Sequence, residues 1–272
     1  MVLRYTAFST DPAGGNPAGI VLDARGMDDH EMLATAADLG FSESVFLFPL
    51  GGREYDVRYF SPLAEVPFCG HATIAAGVTI AERMGPGELS FNTLGGPIGV
   101  ETRAGTATLT SAPGHVSDVP GSDLERFLLA LDWPAGDLDP DLPPRIAFAG
   151  AHHLVLAARM RARLSRLDYD FDRLAELMRA HDLTTVHLVW RESELLFHAR
   201  DPFPVGGKFE DPATGAAAAA FGAYLRELGV LRPPARFTIL QGQDMGRPSE
   251  LVVDLEEGVA EVRVTGAAVS LV

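Results

Sequence analysis

Two segments of this chain have no polar face. "HATIAAGVTIAERM" (His71 to Met84) is apolar nearly all round, and "TGAAAAAFGAYLREL" (Thr214 to Leu228) is apolar and rich in small side chains. Each is followed by a glycine, Gly85 and Gly229, as helix C-termini often are. A helix without a polar face must be covered on every side. The other segments are mostly short β-like runs: "EYDVRYF", "PIGVETRAG", "ATLTSA", "RFTILQG", "ELVVDLEE" and "VAEVRVTG". The simplest cover such strands can provide is a curved sheet or barrel wrapped around each helix. Two more polar helices, Asp28 to Leu39 and Phe171 to His181, carry apolar residues at helical spacing (Met32, Ala36, Leu39; Leu174, Leu177, Met178) and are expected outside the strands.

The two helices sit in a repeated context. At an offset of 142 residues, "VRYFSPLAEVPFCGHATIAAG" (Val57 to Gly77) falls on "ARDPFPVGGKFEDPATGAAAA" (Ala199 to Ala219) without a gap. Arg58 meets Arg200, Pro62 meets Pro204, and Cys69 meets Asp211. At the same offset "SESVFLF" falls on "TTVHLVW", both of them strand-like. Nearer the start of each half, "GIVLDAR" resembles "HLVLAAR". An offset near half the chain length points to two similar lobes and not to a solenoid of short repeats. The expected division is 1–113 for the first lobe and 114–272 for the second, with the tail from about 262 to 272 packing back on the first. Turn formers cluster at the join, from Thr110 to Asp123.

Composition narrows the function classes. The net charge of −15 comes with no offsetting basic cluster, so nucleic acid and anionic membranes are not expected partners. No apolar run reaches membrane-spanning length, and the first residues lack a signal-peptide layout, which points to a cytoplasmic protein. One cysteine, Cys69, excludes an internal disulfide and a cysteine-rich zinc site. No HExxH or other sequential metal spacing, phosphate loop, dinucleotide fingerprint or GxSxG elbow occurs, so neither a cofactor nor a metal is expected. His152 and His153 are adjacent and in a strand point to opposite faces.

Both apolar helices start at a glycine turn, at Gly70 and Gly215. A helix N-terminus presents unpaired N–H groups and partial positive charge, and two of them suit a carboxylate-bearing ligand. The polar groups nearby are Cys69, His71, Glu210, Asp211 and Thr214, the last a possible helix cap. Glu43 joins them from "GFSESVFLF". Between apolar neighbours its carboxyl could serve as a general base, and the residues alone leave equal room for a solvated strand end. His71 as a turn residue and Asp211 as an Asx-turn acceptor before Pro212 stay open in the same way.

In order along the chain, "GNPAGIVLD", "FSESVFLF", "VRYFSPLAEVPFCGHAT" and "FEDPATG" resemble the PhzF family of phenazine-biosynthesis-like isomerases. The resemblance covers nearly the full length. It implies an α+β fold of the diaminopimelate epimerase type: two pseudo-symmetric lobes, each a mostly antiparallel β-barrel around a central apolar helix, with the active site in the cleft between them. It implies a homodimer that needs no cofactor. In diaminopimelate epimerase two cysteines form a base–acid pair; here the second position is Asp211, which excludes a two-thiol mechanism. The proton carrier implied by the resemblance is Glu43, assisted by His71 and Asp211, with Asn16, Ser42, Gly70, Thr214 and Gly215 binding the substrate. Phenazine-pathway members carry serine where this chain has Ala216, so a substrate-contacting hydroxyl is missing.

The expected function is therefore a cofactor-independent isomerase that moves a proton within a small carboxylate-bearing substrate. The alternatives are an amino-acid epimerase or racemase on the same fold and a non-catalytic small-acid binding protein.

Overall fold

The computed structural model describes residues 1–271. In chain order the elements are β1 (Leu3–Ala7), β2 (Asn16–Val21), α1 (Asp29–Leu39), β3 (Glu43–Gly51), β4 (Glu54–Phe60), β5 (Glu65–Val66), α2 (Gly70–Met84), β6 (Gly87–Thr93), β7 (Gly96–Arg103), β8 (Thr106–Thr110), β9 (His115–Asp118), α3 (Gly121–Ala130), β10 (Arg145–Phe148), β11 (His152–Ala158), α4 (Arg161–Leu164), α5 (Phe171–Ala180), β12 (Leu183–Arg191), β13 (Leu196–Phe203), β14 (Lys208–Asp211), α6 (Gly215–Glu227), β15 (Ala235–Gln241), β16 (Ser249–Leu255) and β17 (Arg263–Ser270). They form two compact units. The first contains residues 1–110, 247–250 and 263–271; the second contains 111–246 and 251–262. The last residue of the expected second-lobe range, Val272, lies outside the described residues.

In the first unit the strands close into a barrel. The order is β1-β2-β3-β4-β6-β7-β8-β17, and β17 pairs back onto β1. Two of these pairings, β2 with β3 and β4 with β6, are parallel. Parallel neighbours need a crossover, and α1 and α2 lie on the two connections. The helix α2 fills the barrel, packed on β1, β2, β3, β7, β8 and β17. Every residue from Gly70 to Ala81 is buried, as a helix with no polar face requires. Ile74, Val78 and Ile80 are among them, and full burial of each such side chain is worth about 1.5–3 kcal/mol. A Cβ on Gly77 would meet Ala107 and Val100 at 3.1 Å, so the small residues of α2 set how closely the strands approach.

The second unit repeats the pattern. β11 and β12 are parallel across α5, and β13 and β15 are parallel across α6. β9, β10 and β11 continue antiparallel from this core and receive α6. Ala217 to Leu225 of α6 are all buried. At Gly222 a Cβ would meet Val262 at 2.9 Å and Val253 at 3.0 Å. The amphipathic helices cover the outer faces as expected. Met32 and Ala36 of α1 join Phe46 and Phe60 in one cluster, and Leu174, Leu177 and Met178 of α5 join Leu156 and Leu188 in another. Strand β3, covered on both faces, reads as an apolar run from Val45 to Leu50 for that reason, whereas β12 carries the buried polar residues Thr185 and His187 among its apolar ones.

The structure departs from the sequence reading in two places. The join at Thr110–Asp123 contains β9 and the start of α3, whose Phe127 and Leu128 enter the outer cluster. The run "VAEVRVTG" is strand only from Arg263. Before that, the carbonyls of Val259 and Ala260 accept hydrogen bonds from the Arg226 guanidinium at 2.8 and 2.7 Å.

A repeated arginine fork fixes the approach to each central helix. Arg58 on β4 donates from Nε and Nη2 to both carboxylate oxygens of Glu65 on β5, each at 2.6 Å. At the matching position Arg200 on β13 donates from Nε and Nη2 to both oxygens of Glu210 on β14, at 2.8 and 2.5 Å. The two pairs differ in environment. Arg200 and Glu210 are buried, whereas about a quarter of each side chain in the Arg58–Glu65 pair is exposed, at 26% and 23%. Removing one partner of a buried pair strands the other charge. Arg200→Ala is therefore expected to cost about 3–5 kcal/mol in urea unfolding, and Arg58→Ala no more than about 1 kcal/mol. Equal losses in the two variants would refute the ranking.

Candidate active site

The start of α2 gathers the first cluster. Glu43 is the first residue of β3 and pairs with Ala18 of β2. Cys69 occupies the position before α2, and His71 is the second residue of the helix. Cys69 Sγ donates to Glu43 Oε2 at 3.6 Å and lies 3.3 Å from His71 Nδ1. His71 Nε2 is 3.6 Å from the same glutamate oxygen. Asn16 Nδ2 is 3.1 Å from His71 Nδ1. Glu43, Cys69, His71 and Asn16 are all buried. Four residues from three separate stretches of sequence thus meet at one turn.

Cys69 and the loop of Asn16 are held by further neighbours. Thr73 Oγ1 donates to the Cys69 carbonyl at 2.8 Å and shares a 2.6 Å hydrogen bond with Tyr59. Arg247 donates from Nε to the Gly15 carbonyl and from Nη2 to the Gly14 carbonyl, at 2.8 and 2.6 Å, fastening the loop that carries Asn16. Gly15 has φ +67°, and a Cβ there would stand 2.4 Å from the Ala7 carbonyl oxygen, so only glycine fits this bend. Arg247 lies 232 positions from Gly15, so no local pattern could point to it.

His71 is neutral at ordinary pH. Burial lowers its pKa from 6.5 to about 3, because charging the ring would bring an ion into a desolvated place. It acts here as a hydrogen-bonding group and not as a cation.

The second cluster lies at the start of α6. Thr214 is at the cap position, but its side chain makes no cap hydrogen bond. Its Oγ1 donates instead to Asp211 Oδ2 at 2.6 Å. The capping expectation for Thr214 is thereby corrected: the nearer carboxylate takes the hydroxyl. Gln241 completes the turn. Its Oε1 accepts from the Thr214 N–H at 3.1 Å, and its Nε2 donates to the Asp211 carbonyl at 2.8 Å. Sequence reasoning missed Gln241, which sits at the end of a strand 27 residues further on. Gly70 and Gly215 are the first residues of the two central helices, and Ser42 is half-buried in the bend before β3.

A third polar group lies inside the second unit. Thr185 Oγ1 donates to Asp201 Oδ1 at 2.8 Å and lies 2.8 Å from His153 Nδ1. His187 Nδ1 is 3.0 Å from Asp201 Oδ2. Because Thr185 has given its proton to Asp201, it accepts from His153. Burial, helped by His187 and then His152, lowers the His153 pKa to about 3. Adjacent His152 pairs instead with Asp182 at 3.5 Å.

Residues 5–272 match the sequence model of the phenazine biosynthesis-like protein family, PhzC-PhzF. The chain belongs to this family. An uncharacterized isomerase of Deinococcus radiodurans is 35% identical, with 97% of this chain and 91% of that protein covered. A Pseudomonas fluorescens relative named trans-2,3-dihydro-3-hydroxyanthranilate isomerase is 28% identical, over 97% of this chain and 94% of that protein. Among solved structures, a predicted epimerase from Pseudomonas aeruginosa superimposes with a TM-score of 0.89 at 27% identity, covering 100% of this chain and 96% of that one. A hydroxyproline epimerase from Agrobacterium vitis shares the fold at a TM-score of 0.67 and 13% identity, covering 100% and 90%. The PhzC-PhzF chain is thus an isomerase with the α+β, diaminopimelate epimerase-like fold. Among the described residues no helix is long and apolar enough to cross a membrane.

The two depressed histidines make stability pH-dependent. Between about 6.5 and 3 the unfolded chain binds protons at His71 and His153 that the folded chain does not. Stability therefore rises with pH across that window and falls on acidification, by about 1.4 kcal/mol per pH unit for each histidine. Urea midpoints measured from pH 7 downward should drop less steeply in His153→Leu than in the wild type. Parallel curves would contradict the assignment.

Proposed function

We propose that this protein shifts a proton between two carbons of a small carboxylate-bearing substrate, with Glu43 as the single proton carrier. One observation carries the reading: a glutamate, a thiol and a neutral imidazole converge at the buried start of the central helix α2. A carboxylate in such surroundings has little water to stabilise its charge, which suits a base that must also return its proton. The helix start offers N–H groups for the negative charge that develops when the carbon is deprotonated. His71 donates or accepts a hydrogen bond without competing for the proton. Cys69 hydrogen-bonds to Glu43, so in this proposal the thiol supports the base and does not replace it. Asp211, at the matching turn of the second unit, is assigned to substrate positioning, with Asn16, Ser42, Gly70, Thr214 and Gly215 as further binding groups. The protein is proposed to act as a homodimer in the cytoplasm, without a cofactor.

The named relative suggests a substrate class, a cyclic amino acid with an activated C–H bond. Ala216 replaces the serine of the phenazine-pathway pattern, so the present substrate should lack whatever that hydroxyl recognises. A pocket that has lost such a partner changes its selectivity by orders of magnitude.

The P. aeruginosa structure, described as a predicted epimerase, gives a second reading on the same residues. Epimerisation needs an acid and a base on opposite faces of one carbon, so Asp211 would carry a proton as well.

Glu43→Gln is expected to lower solvent-deuterium incorporation into a turned-over substrate by about 10²–10⁴-fold. Cys69→Ser should lose less than about tenfold, the worth of one hydrogen bond. A wild-type rate in Glu43→Gln would remove Glu43 from the mechanism. An inverted stereocentre in the product would move the assignment to epimerisation.

A further inference from the structure

We propose that Glu43, Cys69 and His71 also form a three-ligand site for a thiophilic divalent cation of the Zn²⁺ class, and that the bound cation switches the enzyme off. The support is geometric. The three donor atoms Glu43 Oε2, Cys69 Sγ and His71 Nε2 define a triangle with edges of 3.6 Å (Sγ to Oε2), 3.8 Å (Sγ to Nε2) and 3.6 Å (Nε2 to Oε2). Zinc bonds of about 2.3 Å to sulfur and about 2.0–2.2 Å to nitrogen and oxygen, at tetrahedral angles, give donor–donor edges of roughly 3.4–3.6 Å. A small contraction of the triangle therefore seats the ion, with the fourth position open to water.

The chemistry of the donors agrees. A thiolate, a carboxylate and a neutral imidazole balance the two charges of the cation. A sulfur and a nitrogen among three ligands favour Zn²⁺ or Co²⁺ over Mg²⁺ and Ca²⁺, which take oxygen. Asn16 meets the other ring nitrogen of His71, where an amide turned by half a rotation would accept the Nδ1–H and orient the ring as partners of metal-bound histidines do. Binding breaks the Cys69 S–H bond, forms an S–metal bond, and releases one proton to solvent. The sequence pattern could not show this site because its ligands come from the start of β3 and from both sides of a helix start.

The inhibitory consequence rests on Glu43 as proton carrier, since a metal-bound carboxylate cannot take up a proton. The binding itself does not, and it is tested without substrate. Co²⁺ is titrated into the full-length protein while the thiolate-to-cobalt charge-transfer absorption is followed. Cys69 is the only cysteine, so the band reports this site alone. The expected result is a saturable band removed by added Zn²⁺, with one proton released per ion. It should be absent in Cys69→Ser. In Glu43→Gln it should require at least about tenfold more Co²⁺, because even outer partners of a metal ligand are worth about 10–100-fold. No band in the wild type, or the same cobalt affinity in Glu43→Gln as in the wild type, would overturn the proposal. A band without Zn²⁺ inhibition of the reaction would overturn the switching half of the proposal and count against Glu43 as the carrier.

Discussion

Two helices that cannot face water govern this fold. Because α2 and α6 are apolar on every side, the strands around them have little choice but to wrap. The first unit shows the outcome in full, eight strands closed around α2. Burying a helix along its length also fixes its N-terminus at a defined place. The first turn is where backbone N–H groups lack helical partners, and in α2 that turn is buried with the rest of the helix. The candidate chemistry at Cys69 and His71 follows from the packing of Ile74, Val78 and Ile80 a turn or more away.

The arginine forks join the scaffold to that site. Arg58 and Arg200 hold β5 and β14, the short strands that lead into the two helix starts. The two arginines match in the sequence repeat but their partners do not, since at the same offset Glu65 falls on Gly207 and Glu210 on Phe68. The pair in the second unit is buried and further braced by an Arg200 hydrogen bond to the Ser165 carbonyl at 2.9 Å. A buried pair of charges stabilises little by itself, but it penalises any arrangement that separates the partners. It therefore acts more on the uniqueness of the turn geometry than on total stability.

Much of this was legible in the sequence where the signal was periodic or repeated. The apolar helices, the outer helices bearing Met32 and Leu174, and the doubled order of strands all depend on local spacing. Residues whose importance comes from contact across long separations were not legible. Arg247 fastens the Asn16 loop, and Gln241 closes the Asp211 turn, yet neither lies in a pattern that marks it. The strand limits at β17 failed for a related reason. "VAEV" has strand-like composition, but the Val259 and Ala260 carbonyls accept from the Arg226 guanidinium, a partner 33 and 34 positions away that no local pattern marks. The convergence of Glu43, Cys69 and His71 lay between these cases: each residue stood out in a motif, while their distances depended on the barrel.

The two halves no longer carry the same chemistry, and the difference bears on the reaction. At the offset of 142 residues, Glu43, Cys69 and His71 correspond to Thr185, Asp211 and Ala213. Thr185 is fully engaged, donating to Asp201 while His153 stands at hydrogen-bond distance on its other side. Asp211 is tied to Thr214. Thr185, Asp211 and Ala213 thus do not reproduce the carboxylate, thiol and imidazole of the first unit: Thr185 belongs to the buried group with His153 and Asp201, and Asp211 to the turn with Thr214 and Gln241. An enzyme that inverts a stereocentre gains from twin acid–base groups, one per half. One that lifts a proton from one carbon and sets it down on another needs a single carrier able to reach both. Under the proposal above, in which Glu43 is the single carrier, Thr185 at the matching position offers no second carboxyl, and inversion would have to draw on Asp211 instead.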